Sequence, residues 1–139
     1  MRRREFIALL GGAAALRPVG ARAQRPRQHI LYFTYSAGYR HDVLPLSKAI
    51  VTQLGNDSGV FDVTATEDIS EFSAENLDRY AAVMFFTSGE LPMSGSQKAA
   101  LLDFVRSGRG FLGVHSATDT FYTWPDYLDL IGGTFNGHP

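Results

Sequence analysis

Short apolar runs alternate with amphipathic stretches along most of the chain. Runs rich in β-branched and aromatic residues predict strands near 30–35, 60–65, 81–87 and 110–114. The first and third runs are apolar except for one threonine each, which is typical of parallel strands buried on both faces. The second run alternates, so it is expected nearer an edge of the sheet.

The stretches between these runs have helical periodicity. They predict helices over 43–54, 73–79, 94–107 and 124–131. Gly55 and Asn56 are expected to stop the first helix, and Ser94 with Gln97 forms a capping box for the third. Pro125 suits the first turn of the last helix. Strands that alternate with helices predict parallel βαβ units, so we expect one α/β domain of flavodoxin-like, three-layer architecture with strand order 2-1-3-4.

The first 23 residues have the pattern of an export signal. Arg3 and Arg4 begin it, an apolar run covers 6–16, and the small-x-small sequence Ala21–Ala23 ends it. This pattern predicts a twin-arginine signal peptide that is cleaved after residue 23, followed by a linker over 24–28. Because the apolar run is far shorter than the roughly 20 residues of a spanning helix, no stable membrane anchor is expected. We expect a periplasmic or secreted protein that meets the export machinery through this segment.

Removal of the signal changes the charge. The chain has 13 basic and 14 acidic residues, of which the signal contains five arginines and one glutamate. The remainder therefore has 8 basic and 13 acidic side chains, a net charge of −5. This acidic balance argues against a nucleic-acid partner. The chain has no cysteine, which excludes disulfides and the thiolate nucleophile of a glutaminase.

The most informative motif is G-F-L-G-V-H-S-A over 110–117, an apolar strand that ends at a histidine. Strand-to-helix turns of this kind hold one side chain above the carboxyl edge of an α/β sheet, beside backbone N–H groups. His115 occupies that apex, between the small residues Gly113 and Ala117. An imidazole there can act as a general acid or base, or as a metal ligand. The alternative is a strand-end histidine that bonds only locally.

Other polar residues follow other strand ends. His41 comes after the first strand, Glu90 comes after the third, and His138 is in the closing G-H-P. The carboxyl ends of parallel strands open on one crevice, so we expect His41 and His115 to share one edge. Glu90 and Asp119 should lie near them, and His138 should arrive from the last loop. The ordinary alternatives are a helix-start histidine, a surface carboxylate and a turn cap.

Several strings together resemble the ThuA-like family, which is associated with trehalose utilisation. They are G-Y-R-H-D after the first strand, G-x-G-F-L-G-V-H-S-A-T-D, P-D-Y-L-D-L-I-G-G-T-F and the final H-P. The resemblance covers 29–139 and implies the fold of class I glutamine amidotransferases, with a function in sugar metabolism. Members of this family continue beyond this length, so the resemblance also implies a domain that is incomplete at its carboxyl end.

The candidate site residues lie in these loops. The predicted catalytic residues are His115, His41 and Asp119. The predicted substrate contacts are Tyr39, Arg40, Asp42, Ser88, Gly89, Glu90, Ser116, Thr118 and His138. Aromatic rings suit the C–H faces of sugars, while carboxylates and amides suit their hydroxyls. A serine hydrolase would need the turn shifted by one residue, to Ser116.

Two functions remain open at this point. The first is an enzyme that acts on a carbohydrate, trehalose or a related glycoside or keto-glycoside, with the histidines as proton-transfer groups. The second is a non-catalytic sugar-binding or interaction module that lacks the amidotransferase cysteine. A divalent metal is a candidate cofactor, although the chain has no H-x-H or H-E-x-x-H spacing. The small-molecule carbohydrate is the expected partner, and both a monomer and an oligomer are compatible with the sequence.

Overall fold

A computed structural model describes residues 26–137. Strands and helices alternate in this part of the chain as β1 (Gln28–Phe33), α1 (Leu44–Ser58), β2 (Phe61–Thr66), α2 (Ala74–Leu77), β3 (Ala82–Phe85), α3 (Gly95–Arg106), β4 (Gly110–Gly113) and α4 (Pro125–Ile131). Two 3-10 turns lie at Ile69–Phe72 and His115–Asp119. The predicted signal peptide and His138 lie outside the described residues.

The four strands form one parallel sheet in the order β2-β1-β3-β4. Tyr32 of β1 is in register with Ala65 on one side and Met84 on the other, and Met84 is in register with Leu112. The predicted α/β class, the parallel sheet and the strand order are confirmed. Because all four strands run the same way, the loops after them open on one edge.

β1 starts two residues earlier than predicted and ends at Phe33. Gln28 therefore belongs to the strand, so the predicted linker over 24–28 overlaps it at the last residue. Arg27 explains the early start. Its guanidinium donates to the Gly55 carbonyl at 2.8 Å and pairs with Asp62 at 2.9 Å, which ties the segment before β1 to the neighbouring elements.

The predicted end of α1 at Gly55 and Asn56 is wrong. The helix continues to Ser58, and Gly59 caps it in the left-handed conformation at φ 64°. Gly55 is buried, and a Cβ at this position would lie 2.7 Å from the Phe61 carbonyl oxygen. The glycine is needed because helix and strand approach closely there, and it does not end the helix.

The helices cover both faces of the sheet. One face packs Leu31, Val83 and Phe85 against residues of α2, α3 and α4, including Leu101 and Tyr127. The opposite face packs Tyr32 against Leu44 of α1. Side chains on successive strand positions point to opposite faces, so the apolar runs of β1 and β3 supply both cores. This arrangement gives the three layers that the sequence predicts.

Most helix boundaries follow local signals. Ser73 accepts from the Asn76 amide at the start of α2, and Ser94 with Gln97 forms the predicted capping box of α3. Leu101 and Phe104 are the buried residues of α3, whereas Leu102 and Val105 of the predicted stripe are only partly buried. None of the helices within residues 26–137 is long and apolar enough to span a membrane.

Candidate functional site

The turn after β4 holds His115 in an uncommon backbone conformation. Its φ is 48°, in the left-handed region, which costs a non-glycine residue about 1–2 kcal/mol. Such residues are frequent at functional sites. Gly113 is closely packed beside the turn: a Cβ there would lie 2.3 Å from Ile131 Cδ1, which would have to turn aside, and 3.1 Å from Ala117 Cβ. Small neighbours therefore allow the sharp turn that carries the imidazole.

The turn brings His115 against His41. Their Nε2 atoms are 3.0 Å apart, and their rings meet at 78° with centroids separated by 4.6 Å. A bond between two ring nitrogens needs one N–H donor and one lone-pair acceptor, so the two rings take opposite tautomers. The shared edge expected for these histidines is thus observed, since one follows β1 and the other follows β4.

Two aromatic rings support the pair. The buried Phe86 ring lies 5.6 Å from both imidazoles, beneath them. The Tyr39 ring stands at 85° to His41 with centroids 4.8 Å apart, and it is 69% exposed. Sequence reasoning missed Phe86, although its position directly after the buried strand β3 could have suggested it. The histidines are therefore held from below and from one side.

A cleft of about 640 Å³ opens beside the two histidines. Its walls come from the loops after β1 and β4 and from the segment after α4. The lining residues are Tyr39, His41, His115, Ser116, Thr118, Asp119 and Phe135. Six of these seven were predicted as site residues, and Phe135 was not. The cleft mixes aromatic, imidazole, hydroxyl and carboxylate groups.

Asp119 is bound to Tyr122. The Tyr122 hydroxyl donates to Asp119 Oδ1 at 2.6 Å, and this bond raises the pKa of Tyr122 to about 12. Among the described residues, no hydrogen bond joins Asp119 to His115, so the structure does not make it the residue that orients the imidazole. Its carboxylate is presented to the cleft from a fixed position.

Phe135 is attached to the same turn. Its amide donates to the Thr118 carbonyl at 2.9 Å, and its own carbonyl accepts from the Tyr122 hydroxyl at 3.1 Å. These bonds lay the segment after α4 along the cleft, with the Phe135 ring in its wall. The sequence around Phe135 gives no signal for this role, because the role depends on a hydrogen bond to Tyr122, 13 positions earlier in the chain.

Arg40 turns away from the histidines. Its guanidinium makes a two-pronged bond to Glu67 at 2.9 and 3.0 Å, and Lys48 binds the same carboxylate at 3.0 Å. The Arg40 bonds, with help from Lys48, lower the pKa of Glu67 to about 2. Arg40 thus links the loop after β1 to the end of β2. Asp42 is exposed in the turn before α1, and α1 begins without a side-chain cap from it.

Ser88, Gly89 and Glu90 connect the loops beneath the cleft. The buried Ser88 hydroxyl donates to the Tyr39 carbonyl at 2.6 Å. The Gly89 amide donates to the Asp119 carbonyl at 2.6 Å, which removes it as an oxyanion donor. Glu90 accepts from the Thr123 amide at 2.9 Å. The structure therefore gives these predicted contacts a supporting position behind the lining residues.

Ser116 has a buried side chain. The residue is 8% exposed, and its Oγ is buried with no hydrogen-bond partner among the described residues. A buried hydroxyl is not accessible as a nucleophile, so the geometry gives no support to a serine hydrolase. A buried polar atom without a partner in a cleft wall is often completed by water or a ligand. Within residues 26–137, no group of three His, Cys, Asp or Glu side chains is placed to hold a metal ion.

Comparisons with known proteins identify a family and a fold. The family described as ThuA, trehalose utilisation, matches residues 29–139. A crystal structure of a ThuA-like protein from Bacteroides uniformis is similar with a TM-score of 0.64 at 21% identity, over 87% of this chain and 51% of that one. This chain therefore spans about half the length of that protein, and the likeness concerns the fold alone. No curated protein matches the chain.

Proposed function

Since the chain belongs to the ThuA, trehalose utilisation, family, we propose that it binds and modifies a carbohydrate in the cleft beside His41 and His115. The proposed substrates are trehalose, a related glycoside or a keto derivative of one. The single observation that carries this proposal is the 3.0 Å approach of the two Nε2 atoms at the wall of that cleft.

The composition of the cleft supports a sugar as its ligand. Its volume of about 640 Å³ is within the range of small-molecule sites. Tyr39 and Phe135 offer apolar ring faces for the C–H groups of a sugar. Asp119 and Thr118 offer oxygen atoms for its hydroxyls. An acidic protein with such a cleft suits a neutral, hydroxyl-rich molecule better than an anionic one.

The histidine pair supports proton transfer as the chemistry. One Nε2 carries the hydrogen and the other accepts it, so once a substrate separates the two rings, the acceptor nitrogen can act as the base and the donor as the acid in one step. The base takes a proton from a sugar hydroxyl, or from a carbon next to a keto group. The acid returns a proton to the oxygen that gains electron density. The pair then holds as many protons as before.

Turnover assays of variants test this proposal. Trehalose, other disaccharides and their keto derivatives are offered to the wild type, His41→Ala and His115→Ala. We expect each alanine variant to lose at least about 100-fold in kcat/KM, the usual range for a general acid or base. His29→Gln is the matched control, because His29 lies on β1 and donates to, or accepts from, Thr64 Oγ1 at 2.8 Å instead of meeting the pair.

Three outcomes are informative. Turnover lost in both cleft variants and kept in the control, with unchanged circular dichroism, supports the enzyme. Turnover retained by His115→Ala refutes a catalytic role for His115. Sugar binding by the wild type without turnover of any substrate favours the non-catalytic sugar-binding module instead.

We also propose that the protein is exported through the twin-arginine route, from the pattern of residues 1–23. Replacement of Arg3 and Arg4 by lysine should block export and leave the precursor inside the cell. A mature amino terminus after Ala23 is the expected product of the wild type. Normal export of the double variant would contradict the proposal.

A further inference from the structure

We propose that His41 and His115 form a two-imidazole site for a divalent first-row transition metal ion, of which Zn²⁺ is the probe used below. The ion is bound through both Nε2 atoms. The proposal concerns the same pair as the proposed function but goes beyond it, because the binding of the ion requires neither a sugar nor turnover. It starts from the positions of the two rings.

The distances fit a shared ion. With metal–nitrogen bonds of about 2.0–2.1 Å, nitrogens 3.0 Å apart subtend roughly 91–97° at the metal. A tetrahedral angle needs about 3.3–3.4 Å between the nitrogens. The side chains therefore have to separate by only about 0.3–0.4 Å for four-coordination.

The ring orientation gives a second geometric test. If both rings point at one ion, their centroids lie roughly 4.7 Å apart, whereas an in-line N–H···N bond places them roughly 5.3 Å apart. The observed separation is 4.6 Å. The observed separation is closer to the first value, so the two rings need little rotation to point at a common ion.

The surroundings hold this geometry in place. Phe86 is buried and contacts both rings, and Tyr39 contacts His41. His115 is kept at its position by the left-handed turn after β4. Both imidazoles are accessible from the cleft, since His41 is half-buried and His115 is exposed. An ion can thus enter without any rearrangement of the core.

Two protein ligands leave positions open on the ion. Residues 26–137 hold no compact group of three His, Cys, Asp or Glu side chains, and Asp119 is bound by Tyr122. A four-coordinate ion would therefore accept two oxygen atoms from water or from adjacent hydroxyl or keto groups of a sugar.

Binding of the ion uses both Nε2 lone pairs. The ring that carries a hydrogen at Nε2 must then shift it to Nδ1, which changes the tautomer and releases no proton. The metal takes the place of the shared hydrogen. With the ion bound, neither Nε2 can accept or donate a proton, so the acid–base role of the proposed function belongs to the metal-free pair.

Calorimetric titration with Zn²⁺, without sugar, tests the site. The wild type and His29→Gln should bind one ion each, because both keep the pair. His41→Ala and His115→Ala should bind it at least about tenfold more weakly, since loss of even an outer-sphere partner has an effect of that size. Equal binding by all four proteins, or no binding by the wild type, would overturn the proposal.

A second measurement does not depend on the variants. Addition of Zn²⁺ should shift the ring nitrogen resonances of His41 and His115 in the wild type and leave those of His29 in place. Unchanged resonances for the pair would reject the site. Turnover measured beside the titration separates the two proposals: sugar turnover in a protein that binds no Zn²⁺ overturns the metal site alone, and Zn²⁺ binding without any sugar binding overturns the proposed function alone.

Discussion

Replacement of Gly89 by alanine should disturb the point where the loops of the site meet. Gly89 follows the buried Ser88 and has a φ of 75°. A Cβ at this position would lie 2.4 Å from the Gly38 nitrogen and 2.9 Å from the Ala37 carbonyl carbon. These are backbone atoms, so a side chain cannot swing aside to make room. One of the two loops has to move.

The size of the effect follows from two contributions. Alanine in the left-handed region costs about 1 kcal/mol more than glycine. Overpacking against atoms that cannot yield costs typically about 1–3 kcal/mol. Gly89→Ala should therefore lower the free energy of unfolding by about 2–4 kcal/mol. At about 4 °C per kcal/mol for a domain near 100 residues, the melting temperature should fall by roughly 8–16 °C.

Gly132→Ala is the matched control. Gly132 has a φ of 76°, and a Cβ there would meet nothing within 4 Å. Thermal unfolding of the two variants therefore separates the cost of backbone strain from the cost of the clash. Gly132→Ala has the strain alone, so its free energy of unfolding should fall by only about 1 kcal/mol. Similar melting temperatures for the two variants would refute the clash.

The same substitution should weaken the site. Ala37 and Gly38 lead directly into Tyr39 and His41, so a displaced loop carries the imidazole away from His115. We expect Gly89→Ala to bind Zn²⁺ less tightly than Gly132→Ala at a temperature where both are folded. Unchanged affinity in Gly89→Ala would refute this coupling and would mean that the loop of Gly89 moves and the loop of Gly38 stays in place.

Two predictions concern pH. Arg40 and Lys48 lower the pKa of Glu67 from 4.5 to about 2, so the stability that its charge contributes is present above pH 4.5 and is lost as the pH falls toward 2. Glu67→Gln should lower the free energy of unfolding by up to about 1 kcal/mol at pH 7, the range of exposed ion pairs. In urea denaturation, the difference in this free energy between variant and wild type should disappear at acid pH. A difference that stays constant with pH would contradict the pairing. The bond to Asp119 raises the pKa of Tyr122 from 10 to about 12, so its contribution is complete below pH 10 and is lost as the pH rises through 12. Tyr122→Phe should lack this alkaline loss of stability, and a variant that follows the wild type between pH 9 and 12 would count against the bond.

Much of the fold could be predicted because it depends on local pattern. The apolar runs are long enough to identify the buried strands, and capping residues such as Ser94 mark helix starts within one turn. Parallel strands place their carboxyl ends at one edge whatever the loops contain. That rule sufficed to bring His41 and His115 to the same edge from residues 74 positions apart.

The remaining features depend on distances across the fold, which only the tertiary structure decides. A glycine in a helical stretch gives the same sequence signal whether it ends the helix or allows a neighbouring strand to pack closely. Gly55 does the latter, because a Cβ there would clash with Phe61. An arginine beside a histidine is equally available to a ligand or to Glu67 until β2 lies next to β1. Phe135 reaches the cleft only through its bonds to Thr118 and Tyr122. Which group a side chain contacts depends on how the helices and strands pack together, and the periodicity along one element contains no information about that packing.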